Sequence, residues 1–200
     1  MKKFFDMDNP VMRALAVAAD LLVLNLLTLL CSLPIVTAGA AITALNDMTI
    51  HMVREEDTYL IKPYFRSFAA NWKRATLFWL LLLAAAALIY FDYLAALTFA
   101  PPLRFAIAAI AVMVLAVALY AFALLSRYEN SLLHTVKNAA MLAVGFFPRT
   151  LVVTAFPILF WMVAIRFIRY GAPVLFLFGL SLPAYVCALM LNGVFHQLEK

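Results

Sequence analysis

From Ala14 to Val53 the chain runs for forty residues with only two formally charged side chains, Asp20 and Asp47. A straight helix of that length would reach roughly 60 Å, about twice the hydrocarbon thickness of a bilayer. Such a stretch has to bend, turn back or leave the membrane. Pro34 and Gly39 sit near its middle and offer the place to do so. The topology of the whole chain depends on which of these happens.

Composition puts the stretch in context. Hydrophobic types make up 68% of the 200 residues and charged types 12%, against roughly 45–50% and about 25% in soluble domains. No soluble fold of this size hides that much apolar surface, so several segments must face lipid. Four later apolar runs, near 75–97, 105–126, 150–166 and 172–195, each approach the ~20 residues of a spanning helix. Trp79, Tyr90, Tyr93, Tyr128, Trp161 and Tyr170 fall toward their ends, where interfacial aromatics belong.

Positive charge arbitrates the opening stretch. Read as a hairpin with limbs near 14–34 and 37–53, it gives six spans and leaves both termini on one side. Lys2, Lys3, Arg13, Arg54, Lys62, Arg66, Lys73, Arg74, Arg127, Lys137, Arg149 and Lys200 then share that side, and Arg104, Arg166 and Arg169 face the other, a split of 12 to 3. Read as one crossing, the best orientation gives only 9 to 6. Short loops rich in Lys and Arg stay cytoplasmic. The sequence therefore predicts an all-α polytopic transmembrane helical bundle of about six spans with both termini inside. The second limb is the weak one, because Asn46, Asp47, Thr49 and His51 lie within it. A short, tilted or re-entrant helix is compatible with them where protein surrounds it.

Two amphipathic surface helices are expected on the cytoplasmic side. The first, near 62–74, has Lys62-Pro63 at its start and an apolar stripe of Ile61, Tyr64, Phe65, Phe68 and Trp72. The short charged turn Arg54-Glu55-Glu56-Asp57 precedes it. The second, near 131–146, is capped by Asn130 or Ser131 and ended by Gly145 and Pro148. Lys62, Arg66, Trp72, Lys73, Arg74, Lys137 and Arg149 are the expected contacts to anionic lipid headgroups.

Ionisable and amide side chains at membrane depth are the candidate site residues. In the hairpin, Asp20 and Asp47 come to similar depth on adjacent limbs, and Asn25, Asn46 and His51 can join them in a polar patch. Near the other face Asp92 can pair with Arg104 or Arg166. Asn192 reads as an interhelical hydrogen-bonding group. Cys31 and Cys187, far apart in apolar runs, read as small buried hydrophobes. No cofactor or metal site is expected: His51, His134 and His196 are scattered, and HExxH, G-x-S-x-G and P-loop motifs are absent from the sequence. An enzyme is accordingly not expected. Net charge of +5 in a mostly embedded chain leaves little surface for a nucleic-acid track. Lys2 and Lys3 followed by an apolar run, with Ala38-Gly39-Ala40 after it, resemble a signal peptide. The run is longer than a signal core and carries Asp20 and Asn25, so cleavage is not expected.

Several strings also resemble a known family. Asn25, Pro34-Ile35-Val36-Thr37, Gly39-Ala40 and Thr43-Ala44-Leu45 are similar to the first hairpin of the YesL-like family, small bacterial membrane proteins grouped as a domain of unknown function. Phe65-Arg66-Ser67-Phe68 with Asn71-Trp72-Lys73-Arg74, then Arg127-Tyr128-Glu129-Asn130-Ser131-Leu132, and Leu182-Pro183-Ala184-Tyr185 extend the resemblance along the chain. It implies a multi-pass protein of the bacterial plasma membrane associated with carbohydrate uptake. The expected function is a non-enzymatic accessory or regulatory factor. Its expected partners are the lipid bilayer and an ABC-type sugar permease or further copies of itself. The alternative is a small proton- or ion-linked transporter or channel using Asp20 and Asp47, and the third class is an intramembrane enzyme with a dispersed site.

Overall fold

The computed structural model describes residues 10–54, 59–99, 102–128 and 131–198. The charged turn at Glu55–Asp57 and the cap candidate Asn130 lie outside them. The described residues form helices α1 (Pro10–Cys31), α2 (Ala38–Val53), α3 (Ile61–Phe99), α4 (Leu103–Arg127), α5 (Leu132–Gly145), α6 (Phe147–Arg166), α7 (Ile168–Phe178) and α8 (Ser181–Leu198), with one 3-10 turn at Ile35–Thr37.

The opening stretch folds back where its proline predicts. Helix α1 ends at Cys31, and Pro34 starts the turn in an extended conformation. The carbonyls freed there are satisfied locally. Thr37 Oγ1 donates to Cys31 O and Pro34 O, and Trp79 Nε1 donates to Ile35 O at 2.9 Å. Leu33, Ile35 and Val36 are nevertheless exposed. A turn with apolar side chains outside and its polar backbone served from within suits a lipid environment.

Helix α2 is the centre of the molecule. It packs against α1, α3, α4 and α8, and eleven of its sixteen residues are buried. The run Ala38-Gly39-Ala40-Ala41 allows this, because small side chains let neighbouring backbones approach closely. Its polar residues bond back to its own carbonyls: Thr43 Oγ1 to Gly39 O, Asn46 Nδ2 to Ile42 O and Thr49 Oγ1 to Leu45 O. Leu24, Ala44, Leu45, Met48 and Tyr64 form one core on one side of α2. Ile50 joins a second core on the other, built around Tyr120–Leu125 of α4 with Phe78, Ala188 and Leu191.

The expected boundary near residue 74 does not exist. Helix α3 runs unbroken for 39 residues, about 58 Å. The segment expected as a surface helix is the first third of this rod, and its apolar stripe is divided. Tyr64 is fully buried, whereas Ile61, Phe65 and Trp72 are exposed. The buried residues of the first half of α3 are Tyr64, Ser67, Ala75, Thr76 and Phe78, of which Tyr64 packs with Ala44, Leu45 and Met48 and Ala75 lies against Gly39 of α2. The sequence contains no Pro or Gly between Lys73 and Ala75 to break the helix, so the backbone ladder simply continues.

The last apolar run is two helices. Segments Ala172–Phe178 and Ser181–Gly193 meet at 53° across Gly179-Leu180. Among the described residues, four helices (α1, α3, α4 and α6) are long and apolar enough to cross a membrane, or five when this bent pair counts as one. Helix α2, at sixteen residues or about 24 Å, is not among them. Large apolar side chains cover the outer surfaces of the candidate spans, including Leu81, Leu88 and Phe91 on α3, Ile110 and Met113 on α4, and Leu159 and Met162 on α6.

The corner of α4, α5 and α6 is fastened by Thr150. Its Oγ1 donates to Ala143 O at 2.8 Å, a carbonyl at the end of α5, and lies 3.0 Å from Tyr120 Oη. Helix α5 buries Thr135, Ala139 and Ala143 and exposes Leu133, Lys137 and Met141. Ser131 stands at its N-cap without a side-chain cap bond.

Candidate functional site

The end of the bundle where α2 and α4 finish and α3 begins is polar. A cavity of about 420 Å³ opens there, with Asp47, His51, Arg66, Ser67, Asn71 and Arg127 among its lining. Three helices meet to build it. Asp47 and His51 are one turn apart on α2. Arg66, Ser67 and Asn71 come from the first turns of α3, and Arg127 closes α4. The Asp47 side chain is 14% exposed and the His51 side chain 44%. His51 Nδ1 lies 2.8 Å from Asp47 O and 3.5 Å from Asp47 Oδ1. A carboxylate in a cavity that two arginines, a hydroxyl and an amide also line suits a small polar ligand bearing both acceptor and donor groups. Among the described residues, no three His, Cys, Asp or Glu side chains gather as metal ligands.

Helix α8 reaches the same end. Arg54, just past α2, donates from Nε to Asn192 Oδ1 at 3.0 Å. Arg149 lies against Gly193, with its guanidinium 5.6 Å from the Phe146 ring. Asn192 thus makes the interhelical bond its position implied, and its partner is a charged side chain from the first hairpin.

The five residues expected to form one patch are distributed over four places. Asp47 and His51 line the cavity. Asn46 turns back to bond its own helix. Asp20 is half-buried on α1 and is not part of the cavity lining. Asn25 is fully buried at the α7–α8 break. Its Nδ2 donates to Phe176 O at 2.8 Å, and its Oδ1 accepts from Leu180 N at 2.8 Å and Ser181 N at 3.1 Å. Asp92, Arg104 and Arg166 are all exposed, and no ion pair joins them among the described residues. Arg104 instead lies 4.9 Å over the Phe105 ring. Of the expected headgroup contacts, Lys62, Arg66, Trp72, Lys73 and Lys137 are exposed, and Arg74 and Arg149 are half-buried.

The sequence reading did not connect Asp47 to Arg66 and Arg127, or Arg54 to Asn192. Charge balance around Asp47 was the available signal, since a carboxylate at that depth calls for a cation. Two further cavities are apolar. One of about 860 Å³ lies among α3, α4, α5 and α6, and one of about 590 Å³ between α3 and α4. Their alkyl and aromatic linings match acyl chains.

Apolar helices of spanning length around a small-residue core define a multi-pass helical membrane protein. Residues 21–93 match the model of a family described as "Protein of unknown function, DUF624". The YesL-like resemblance is consistent with membership of that family. The match covers the second half of α1, all of α2, the cavity residues of α2 and α3, and most of the α3 rod. Comparison with curated proteins and with solved structures gives no match.

Proposed function

We propose that the chain is a non-enzymatic accessory protein of the bacterial plasma membrane that regulates or assists carbohydrate uptake. Both termini are cytoplasmic in this reading, and the polar cavity faces the cytoplasm. The uptake role rests on the YesL-like resemblance; the observation that carries the orientation is the gathering of Arg54, Arg66, Arg127 and Arg149 at one end of the bundle. Basic residues are retained on the cytoplasmic side. That end is where a permease loop or anionic headgroups would meet Arg66 and Lys62. A first hairpin that enters and returns gives this sidedness whether it crosses fully, as six spans require, or turns within the bilayer.

Sidedness is tested with Tyr59, which is 83% exposed beside the cavity. In a chain carrying Cys31→Ser and Cys187→Ala, Tyr59→Cys is expected to react with a membrane-impermeant maleimide only after the cells are opened. Reaction in intact cells would place this end outside and refute the orientation. Partnership is tested by cross-linking in native membranes, with sugar uptake measured in a deletion strain. Recovery of a permease together with reduced uptake is expected. No partner and unchanged uptake would sink the accessory role.

The position of Asp47 in a cavity with His51 favours one second reading, a small ion-linked transporter. The two readings separate in proteoliposomes. An accessory protein gives no proton or cation flux by itself, and Asp20→Asn, Asp47→Asn and the double variant leave that unchanged. Flux in the wild type that disappears on neutralising Asp47 would replace the accessory role with transport.

A further inference from the structure

We infer that the α7–α8 break is a two-position hinge, latched in its bent position by the Asn25 amide and responsive to bilayer thickness. In a continuous helix the Leu180 N–H would donate to the Phe176 carbonyl four residues earlier. Here the Asn25 amide stands between these two groups. Its Nδ2 donates to Phe176 O, and its Oδ1 accepts from Leu180 N, both at 2.8 Å. A single side chain from α1 thus substitutes for both partners of one ladder bond, and it also takes the Ser181 N–H at 3.1 Å. The helical ladder is intact up to Gly179 N, which donates to Leu175 O at 2.9 Å, and resumes with Ala184 N to Leu180 O at 3.2 Å. The interruption is confined to the groups that Asn25 touches and their immediate neighbours.

Withdrawal of Asn25 leaves Phe176 O and Leu180 N able to bond each other directly. These two backbone groups are thus paired in either arrangement, by Asn25 in the bent one and by each other in the straight one. Pro183 has no N–H to return to the ladder, and its ring crowds the carbonyl of Gly179, so the closed position keeps a residual kink. Gly179 permits the bent position. A Cβ there would lie 2.3 Å from Leu175 O.

The far end of α8 reads out the hinge. Asn192 is about 16 Å along the helix from Ser181, so each 10° at the break moves it by about 3 Å. A shift of that size breaks the 3.0 Å bond from Arg54 Nε. The first hairpin therefore holds α8 at both ends, by Asn25 from α1 and by Arg54 after α2. Opening one latch strains the other and changes the wall beside the polar cavity. Membrane thickness acts on the same coordinate. The bent segment reaches less far along the membrane normal than a straighter one, so a thick bilayer favours closure and a thin one favours the bend.

The test is electron–electron double resonance between spin labels at Leu189 on α8 and Ile110 on α4, both exposed, in a chain carrying Cys31→Ser and Cys187→Ala. In phosphatidylcholine vesicles of short-chain and long-chain lipids, the wild-type sequence is expected to show two distances whose ratio moves toward the straight form in the thicker bilayer. Asn25→Ala is expected to shift the mean by about 5 Å, the lever of nine residues swung by some 20°. Pro183→Ala alone should leave the bend in place, and with Asn25→Ala should enlarge the shift. A single distance in the wild type at every thickness would overturn the hinge, and this arm does not depend on the Asn25 variants folding. An unchanged distance in folded Asn25→Ala would show that Gly179 and Pro183 alone set the bend and would equally overturn it.

Discussion

Replacing Gly39 by alanine is expected to destabilise the protein by about 3 kcal/mol, the upper part of the range for overpacking. A single methyl group at this position would lie 2.4 Å from Trp79 Cβ and 2.5 Å from Ala75 O. Neither neighbour can give way cheaply, since one is a backbone oxygen and the other is fixed to the backbone. The helices α2 and α3 would have to separate along the whole contact. That separation also pulls Trp79 Nε1 away from Ile35 O, leaving a turn carbonyl without its donor. Gly145→Ala is the matched control, because a Cβ there meets nothing within 4 Å. Thermal unfolding in detergent should show a large fall for the first and almost none for the second. A Gly39→Ala protein as stable as wild type would mean that the α2–α3 contact is looser than described.

The second large effect is at Tyr64. Its side chain is fully buried between the two limbs of the first hairpin, with Leu24, Ala44, Leu45 and Met48 around it. Tyr64→Ala is expected to cost about 3 kcal/mol, the low end for removing a buried aromatic ring. The low end applies because the reference state in a membrane offers lipid instead of water, so the loss is mainly of packing. Tyr64→Phe is expected to cost less than about 1 kcal/mol. The hydroxyl's contacts to Thr28 Oγ1 and Ala41 O are long, at 3.3 and 3.4 Å, and Thr28 keeps its own bond to Leu24 O at 2.7 Å. The ratio of the two losses is the informative quantity. Equal losses would assign the site's energy to the hydroxyl and not to the ring.

Tyr64 also shows what the chain's residue pattern could and could not reveal. The apolar runs, the reversal at Pro34 and the helical class were readable, because hydropathy and proline geometry act locally. Tyr64 was legible as part of an apolar stripe on a helix. Whether that stripe met lipid or protein depended on α2, whose small residues draw α3 against it. The unbroken course through residue 74 followed from the absence of any helix breaker there, but the change in charge density at that point suggested a boundary. The break near Gly179 had local signals in Gly179, Ser181 and Pro183, which hydropathy averages over. Its partner Asn25 lies more than 150 residues earlier, and no periodicity connects the two. The same holds for the candidate site. Asp47 and His51 were legible as ionisable residues one helical turn apart, whereas Arg66 and Arg127 join them only through the packing of three helices. Asp20, equally conspicuous as a charge, lies outside that packing.

The small-residue character of α2 also bears on how the protein is made. A sixteen-residue helix with Thr43, Asn46, Asp47 and Thr49 along it has little to hold it in lipid by itself. Its burial is supplied by α1 and, for the larger part, by α3, α4 and α8, which follow it in the chain. The packing of α2 is therefore complete only when helices that follow it in the chain, the last of them α8, are in place. A chain ending before α4 would leave the faces of α2 that meet α4 and α8 uncovered.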